Sequence, residues 1–159
     1  MEKLDLSCGI VPVRFEDNVV KVLLCKSKRY GYYLIPKGHI DPGETEIQAA
    51  IRELWEESGC RPIRFLTNSG LSSDSNEAIQ LSPLSYVFES KQGPVRKTVK
   101  LYLAEVSQEG DIQDKKECEF VEWFPANETT AQLLHHQENI NHFIEHVLPN
   151  IHYFNESIV

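Results

Sequence analysis

Runs of apolar residues divide the first quarter of the chain into three predicted strands. Residues 7–15 and 18–27 are rich in Val, Ile and Leu, and the polar residues between them fit a hairpin loop. A third run, at 31–36, ends where Pro36 and Gly38 interrupt the pattern. Four later apolar runs predict further strands, at 62–68, 84–90, 98–106 and 120–124.

Two segments have the features of helices. The first is predicted to begin at Thr45, whose hydroxyl forms a capping box with Gln48, and to end at Gly59. The second lies near the C terminus, where the apolar residues at helical spacing are Ile140, Phe143, Ile144, Val147 and Leu148. The Ser- and Asn-rich residues 67–83 predict a mobile loop. Together the pattern indicates a mixed sheet with helices packed against it.

Length and composition limit the function classes. The 159 residues fit one domain, 1–159, and no apolar run is long enough to predict a membrane span or a signal peptide. Four widely spaced cysteines, with no C-x-x-C pair, predict reduced thiols, and we expect a cytoplasmic monomer. A formal net charge of -8 gives no electrostatic basis for binding long nucleic acid. It leaves open a small phosphate-rich ligand, because a bound cation reverses the local charge.

Three glutamates crowd one side of the first predicted helix. On a helical wheel Glu53, Glu56 and Glu57 fall within an arc of about 100°, beside the apolar stripe and not opposite it. Two carboxylates about 5 Å apart repel by roughly 3 kcal/mol at an effective dielectric constant of about 20. Two interpretations follow: an acidic face screened by water, or a set of oxygen ligands for Mg²⁺ or Mn²⁺.

The spacing around these acids decides between the two interpretations. From Gly38 the chain runs five residues to Glu44 and seven more to the segment RELWEESGC. This pattern resembles the Nudix box, G-x5-E-x7-R-E-U-x-E-E-x-G-U, in which U is a bulky aliphatic residue. Leu54 fits the first U, and Cys60 departs mildly from the last. The box covers residues 38–60, and the flanking strands and late helix extend the resemblance over most of the chain.

The resemblance implies an α/β fold, the Nudix-type α/β/α sandwich with a central mixed β-sheet. It also implies hydrolysis of a nucleoside diphosphate linked to another group, with Mg²⁺ or Mn²⁺ as the cofactor. Glu57 is the implied base or base-side ligand, Arg52 orients a glutamate through a charge-assisted hydrogen bond, and Glu44 ties the loop down or reaches a metal through water. The implied metal ligands are Gly38, Glu53, Glu56 and Glu57, with Glu117 from a later loop.

Local similarities point to the asymmetrical diadenosine tetraphosphate hydrolases. The segment PKGHIDPGE resembles their lead-in to the box, KTVKLYLAEV at 97–106 resembles one of their strands, and KKECEFVEWF resembles their S-x-E-x-x-x-Y-x-W region. This last match aligns Trp123 with the family tryptophan and Glu117 with the family acid. Lys37 and His39 are expected to meet phosphate, and the implied substrate residues are Lys37, His39, Tyr33, Lys97 and Tyr102, with the tyrosines stacking on adenine. The alternative for each tyrosine is a place in the core, and the alternative for Lys97 is a solvated strand edge. The favoured reaction is diadenosine tetraphosphate to ATP and AMP.

Other activities stay open. The subfamily carries a tyrosine at a position where this chain has residues 76–78, and Tyr86 is the alternative. A MutT-type nucleoside triphosphate pyrophosphatase, a diphosphoinositol polyphosphate hydrolase and an RNA cap or 5′-end hydrolase are the enzymatic alternatives. The non-enzymatic alternative is a Nudix module that senses a nucleotide, although such modules commonly lose an acid and this chain has all of them. His142 and His146 are expected on a solvated helix face, because no third metal ligand stands at a useful spacing.

Overall fold

A nine-stranded mixed sheet forms the centre of the computed structural model, which describes residues 2–156. The strands are β1 (Lys3–Glu16), β2 (Val19–Ser27), β3 (Tyr33–Leu34), β4 (Lys37–Gly38), β5 (Cys60–Thr67), β6 (Gly70–Ser72), β7 (Leu84–Ser90), β8 (Gly93–Gln108) and β9 (Cys118–Pro125). Their order is β3-β2-β1-β8-β5-β6, with β4 paired to β1, β7 to β8 and β9 to β2. β1 and β8 run parallel, while the other pairs run antiparallel, so the predicted mixed sheet is confirmed.

Helices cover both faces of this sheet. They are α1 (Glu46–Ser58), α2 (Glu128–Leu133), α3 (Gln137–His142) and α4 (Leu148–Glu156). Successive residues of a strand point to opposite faces. Ile10 packs with Leu54 in the core cluster under α1, whereas its neighbour Val11 packs with Phe143 in the cluster under the C-terminal helices. Burial on both faces explains the continuous apolar runs and gives the α/β/α order that was predicted.

α1 begins and ends where the sequence predicts. Thr45 Oγ1 accepts a hydrogen bond from the Gln48 N–H at 3.2 Å, and Gln48 Oε1 accepts one from the Thr45 N–H at 3.0 Å. At the other end Gly59 adopts a φ of 71°, and its N–H bonds to the carbonyl of Trp55. A side chain at Gly59 would also collide with the backbone of Gly110. The helix that carries the acids is therefore fixed at both ends.

The C-terminal helix extends beyond the apolar residues that predicted it, and the position of one histidine differs from the prediction. α3 continues through a π-helical turn at Phe143–Val147 into α4, which runs past Pro149. In that turn the N–H of Leu148 bonds to the carbonyl of Phe143, and the wider turn accommodates the proline that follows. His142 is only 7% exposed, so the expected solvated position is wrong for this residue. Burial lowers the pKa of His142 to about 4.

Residues 67–83 are more structured than a mobile loop. They contain β6 and a 3₁₀ turn at Ser75–Glu77. The hydroxyl of Thr67 donates to the carbonyl of Gly70 at 2.7 Å, and the N–H of Ile79 donates to the carbonyl of Leu66 at 3.1 Å. These hydrogen bonds fasten the segment to the end of β5.

The prediction of four reduced cysteines is wrong for one pair. A disulfide joins Cys25 on β2 to Cys118 on β9, with Cα atoms 5.7 Å apart and 93 positions between them in the sequence. The antiparallel pairing of these two strands brings the residues together, which sequence spacing cannot reveal. Cys8 and Cys60 are free and buried. None of the helices formed by residues 2–156 has both the length and the apolar character needed to span a bilayer.

Candidate active site

Arg52 is the centre of a hydrogen-bond network that joins α1 to the loop before it. Its guanidinium donates to Glu44 at 2.8 and 3.0 Å, to Glu53 at 2.9 Å and to Glu56 at 3.0 Å. A further bond reaches the carbonyl of His39 at 2.9 Å. The hydrogen bond with Glu44 is the main reason why the pKa of Arg52 is raised. One cation thus offsets the repulsion that crowded carboxylates would otherwise cause.

Glu44 fastens the loop to the helix. Besides its two bonds from Arg52, its Oε1 accepts a hydrogen bond from the Asp41 N–H at 2.8 Å. These bonds, with Arg52 first, lower the pKa of Glu44. Both carboxylate oxygens are used within the protein, so of the two implied roles the geometry favours tying the loop down.

Gly38 leaves the space that the Glu53 carboxylate fills. A Cβ atom at position 38 would collide with that carboxylate, so a side chain here would displace it. Burial raises the pKa of Glu53, and Arg52 opposes this effect through its hydrogen bond and its charge. The negative charges of Glu56 and Asp114 have smaller effects, which raise the pKa of Glu53 further. The absence of a side chain at Gly38 therefore allows the Glu53 carboxylate to occupy its position.

Glu57 is the most buried of the three helical acids. It is 8% exposed, and its Oε2 accepts a hydrogen bond from the Lys37 N–H at 2.8 Å. Burial raises the pKa of Glu57 to about 8, the charge of Glu53 adds to the rise, and Lys37 opposes it. Burial also lowers the pKa of the Lys37 ammonium. A carboxyl group that titrates near neutral pH suits proton transfer.

The donor chemistry of this face fits a hard divalent cation, because every side-chain donor is a carboxylate oxygen. Among the side chains that the structure describes, no three from His, Cys, Asp or Glu are gathered closely enough to hold a metal. Arg52 holds Glu53 and Glu56, while Glu57 is turned to the backbone of Lys37. A cation bound here would compete with Arg52 for two carboxylates.

The segment 109–118 closes over the C-terminal end of α1. The N–H groups of Gln113 and Asp114 both donate to the carbonyl of Glu56 at 2.8 Å, which satisfies a free acceptor at the helix end. Glu117 follows in an exposed position. Burial is the main cause of the raised pKa of Glu57, and the negative charge of Glu117 adds a smaller increase. The fourth predicted acid thus lies within electrostatic range of the helical acids.

Asp5, which the sequence analysis missed, holds two of the predicted phosphate-binding residues. His39 Nε2 lies 2.6 Å from Asp5 Oδ1, and Lys97 Nζ donates to Asp5 Oδ2 at 3.0 Å and to Ser7 Oγ at 2.7 Å. Burial acts to raise the pKa of Asp5, but its bonds to Lys97 and His39 outweigh burial and lower it. Asp5 and Lys97 are direct partners in the parallel pairing of β1 and β8, a register that the sequence does not disclose.

The two predicted stacking tyrosines occupy different environments. Tyr102 is 7% exposed and packs in the core cluster under α1, so the base-stacking role predicted for it does not fit. Tyr33 is partly exposed on β3, with Lys26 lying 4.7 Å from its ring centre and Phe124 packed edge-on at 5.1 Å. Trp123 packs against the core under α1 and carries the guanidinium of Arg14 at 4.1 Å.

A group of aromatic rings was not predicted as a unit, and one of its members, Tyr86, pairs across β7 and β8 with Lys97, the lysine that bonds Asp5. Tyr32 stacks on His135 with ring centres 3.6 Å apart, Tyr30 stacks on Tyr32 at 5.4 Å, and Tyr86 lies 5.9 Å from His136. The aromatic group comprises Tyr30, Tyr32, Tyr86, His135 and His136. Three separate segments contribute these rings, so no local pattern joins them; Tyr86 alone was considered, as a substitute for the family tyrosine.

Comparisons with known proteins agree with the motif. A family model described as the NUDIX domain matches residues 3–147. The asymmetrical bis(5'-nucleosyl)-tetraphosphatase of Caenorhabditis elegans is 37% identical over 118 residues, which are 74% of this chain and 76% of the relative. The enzyme of the same name from Rattus norvegicus is 28% identical over 140 residues, 83% of this chain and 86% of the relative.

Comparison with a solved structure supports the same family assignment. The MutT NUDIX hydrolase from Burkholderia pseudomallei is 25% identical and superposes with a TM-score of 0.65, covering 92% of this chain and 99% of that one. The family match spans most of the chain and includes the loop and helix that carry the acids. The chain therefore belongs to the NUDIX hydrolases.

Proposed function

We propose that this protein hydrolyses dinucleoside polyphosphates, with diadenosine tetraphosphate cleaved to ATP and AMP. The observation that carries the chemistry is the buried Glu57, fixed by the Lys37 N–H at 2.8 Å beside acids that Arg52 holds in place. The choice of substrate is supported by the relatives from Caenorhabditis elegans and Rattus norvegicus, both named asymmetrical bis(5'-nucleosyl)-tetraphosphatases.

The proposed cofactor is Mg²⁺, with Mn²⁺ as the substitute. Its proposed ligands are the carboxylates of Glu53, Glu56 and Glu57, the carbonyl of Gly38 and the carboxylate of Glu117. All are oxygen donors, the type that these cations prefer. When bound, the metal neutralises charge on the phosphate oxygens and lowers the pKa of water.

The proposed reaction is an in-line displacement at phosphorus. The oxygen of a water molecule forms a bond to one phosphorus atom while the bond from that phosphorus to the bridging oxygen breaks. The bridging oxygen leaves with the electron pair on the departing phosphate chain. Glu57 accepts the proton that the water loses. Its pKa is about 8 in the metal-free protein, and a cation bound beside it would favour the ionised carboxylate that this role requires.

The remaining residues position the substrate. Lys37 supplies a desolvated ammonium next to Glu57, and Lys97 and His39, joined through Asp5, supply further donors for phosphate oxygens. Tyr86 of the aromatic group is the direct strand partner of Lys97, and the group offers rings for stacking on an adenine. We assign base stacking to the aromatic group in place of Tyr102.

A substrate panel tests this proposal. The protein is incubated with Mg²⁺ and diadenosine polyphosphates, nucleoside triphosphates, ADP-ribose or diphosphoinositol phosphates, and the products are separated by chromatography. We expect diadenosine tetraphosphate to give ATP and AMP at a higher rate than the other compounds. If nucleoside triphosphates are hydrolysed faster, they are the preferred substrates and the proposed substrate is wrong. If no compound is hydrolysed, the result favours a nucleotide-sensing module.

The cellular setting also belongs to the proposal. The cytoplasm and a monomeric state remain predictions, and so does a single domain over residues 1–159. The Cys25–Cys118 disulfide weighs against a permanently reducing compartment. Peptide mapping of the purified protein under non-reducing conditions measures how much of that pair is oxidised.

A further inference from the structure

A basic cleft lies beside the acidic face of α1, and its lysines have no part in the function proposed above. It is open to solvent and has a volume of about 620 Å³. Its lining consists of Lys28, Glu56, Gln113, Asp114, Lys115 and Lys116. Glu56 belongs both to this cleft and to the proposed metal ligands, so a chain-like ligand held at the acids can extend directly into the cleft.

The lysines of the basic cleft have no carboxylate partner among the described residues, and all three are exposed. The lysines on the other side of the site differ. Lys97 lies 3.0 Å from a carboxylate oxygen of Asp5, and Lys100 lies 2.9 Å from one of Glu46. The cleft is therefore a local concentration of unpaired positive charge on a protein with a formal net charge of -8.

The two carboxylates inside the cleft are engaged elsewhere. Glu56 accepts a hydrogen bond from Arg52 at 3.0 Å. Asp114 Oδ1 accepts bonds from the N–H groups of Lys116 and Glu117 at 3.2 and 3.3 Å, which close the turn. The ammonium groups repel one another across the cleft, and an anion with several charges would relieve that repulsion.

The backbone fixes both walls of the cleft. Lys28 directly follows β2, and Lys116 lies two residues before β9; these strands pair up to Ser27 and Cys118. The second wall is also bonded to α1, because the N–H groups of residues 113 and 114 donate to the carbonyl of Glu56. The fold therefore sets the position of the lysines relative to the acids.

We propose that Lys28, Lys115 and Lys116 form a subsite for the phosphate chain on the far side of the scissile anhydride. This proposal rests on the proposed function, since it places the scissile bond at the helical acids. Three ammonium groups match a run of two or three phosphates, and ammonium groups bind phosphate oxygens as flexible point charges. The subsite makes the enzyme prefer substrates that carry phosphate on both sides of the metal, with affinity rising as the chain lengthens.

Steady-state kinetics on diadenosine tri-, tetra-, penta- and hexaphosphate test the subsite. In Lys115→Ala/Lys116→Ala we expect KM for the penta- and hexaphosphate to rise roughly fivefold to tenfold, as expected for two exposed charge contacts. KM for the triphosphate should change less than about twofold, and kcat should be unaltered. The control is Lys21→Ala/Lys91→Ala, which makes the same change in charge outside the cleft. If KM for the penta- and hexaphosphate rises equally in the control, the effect comes from the change in net charge, and the subsite is overturned.

Lys28→Ala tests the opposite wall. It should shift the preference in the same direction as the double variant. An unchanged chain-length preference in Lys28→Ala contradicts a cleft that uses both walls. Thermal melting of each variant checks that the fold is intact.

A binding measurement separates this inference from the proposed function. Calorimetry with inorganic tripolyphosphate, without metal, should show binding by the native protein, weaker binding by the double variant and native-like binding by the control. If tripolyphosphate binds in this pattern but no dinucleoside polyphosphate is cleaved, the lysine cleft stands as a polyphosphate-binding site and the proposed function fails. If diadenosine tetraphosphate is cleaved but the double variant binds tripolyphosphate like the native protein, the subsite is wrong and the proposed function stands.

Discussion

The segments 38–60 and 109–118 meet at the C-terminal end of α1 and hold their charged groups in opposite ways. In the first segment one guanidinium bonds to three glutamates, and Glu57 is buried against a backbone N–H. In the second segment the fixed contacts are made by the backbone, through two N–H groups on the carbonyl of Glu56. Its charged side chains at 115–117 remain exposed.

This contrast indicates a division of labour. Reacting groups need fixed positions and shifted pKa values, which burial and a shared cation provide. Groups that capture a flexible anion need unpaired charge and access to solvent. On this account, substitutions in 38–60 change the rate of the chemical step, and substitutions in 109–118 mainly change substrate affinity.

The largest expected effect comes from Glu57→Gln. Loss of the base should lower kcat by about a hundredfold to ten-thousandfold and leave KM nearly unchanged. Single-turnover kinetics with diadenosine tetraphosphate and Mg²⁺ measure this. The control is Glu77→Gln in the 3₁₀ turn, an exposed glutamate outside the box, which should retain native activity. A fall of less than about tenfold in Glu57→Gln contradicts its assigned role.

The pH dependence of stability is the next test of the buried acid. The pKa of Glu57 is raised to about 8 in the folded, metal-free protein, above an unfolded value near 4.5, so the folded state binds more protons between these values. The free energy of unfolding should therefore decrease as pH rises from about 4.5 to about 8, by up to a few kcal/mol.

Urea unfolding at several pH values, in the presence of a chelator, measures this slope. Glu57→Gln should remove most of the decrease, because its amide does not titrate. Glu117→Gln, which changes an exposed acid in 109–118, should keep the slope of the native protein. A native-like slope in Glu57→Gln would contradict the buried, protonated carboxyl group.

Arg52→Lys tests whether geometry or charge holds the network. Lysine keeps the positive charge but cannot reach Glu44, Glu53 and Glu56 together, since it lacks the planar fork of arginine. We expect kcat to fall about tenfold to fiftyfold, with a loss of about 1–3 kcal/mol in the free energy of unfolding. Native kinetics in Arg52→Lys would show that charge alone is enough.

A smaller effect is expected from the fourth acid. Glu117→Gln should lower kcat/KM about fivefold to tenfold, because its carboxylate is exposed and acts at longer range. Glu119→Gln, two residues further on β9, is the matched control and should stay within about twofold of the native protein. When the activity is titrated with Mg²⁺, Glu117→Gln should need a higher Mg²⁺ concentration than the native protein to reach half of its maximal activity. Equal effects of the two substitutions would remove Glu117 from the site.

Features of the molecule that depend on nearby residues could be predicted from the sequence, whereas features that depend on strand pairing could not. The limits of α1 and the clustering of Glu53, Glu56 and Glu57 depend on neighbours within a few turns of helix, so capping residues and helical spacing were enough to predict them. The Asp5–Lys97 pair depends on the register of two parallel strands far apart in sequence. The Cys25–Cys118 disulfide depends on an antiparallel pairing of the same kind.

Substrate-side residues were harder to predict for another reason. Tyr102 and its strand neighbours alternate between two buried faces, and both faces are apolar, so the pattern does not reveal which side a tyrosine occupies. The aromatic group and the basic cleft each combine rings or lysines from separate loops. Such surfaces have no local period in the sequence, and only the packing of the sheet brings their members together.

The central claim is the hydrolysis of diadenosine tetraphosphate at an asymmetric position by activated water. Its most direct test is the reaction with Mg²⁺ in ¹⁸O-labelled water, followed by mass spectrometry of the nucleotide products. We predict ATP and AMP in equal amounts, with one ¹⁸O atom in only one of the two products, and a reaction about a hundredfold to ten-thousandfold slower in Glu57→Gln. Two molecules of ADP, or an intact substrate with the native protein, would contradict the account.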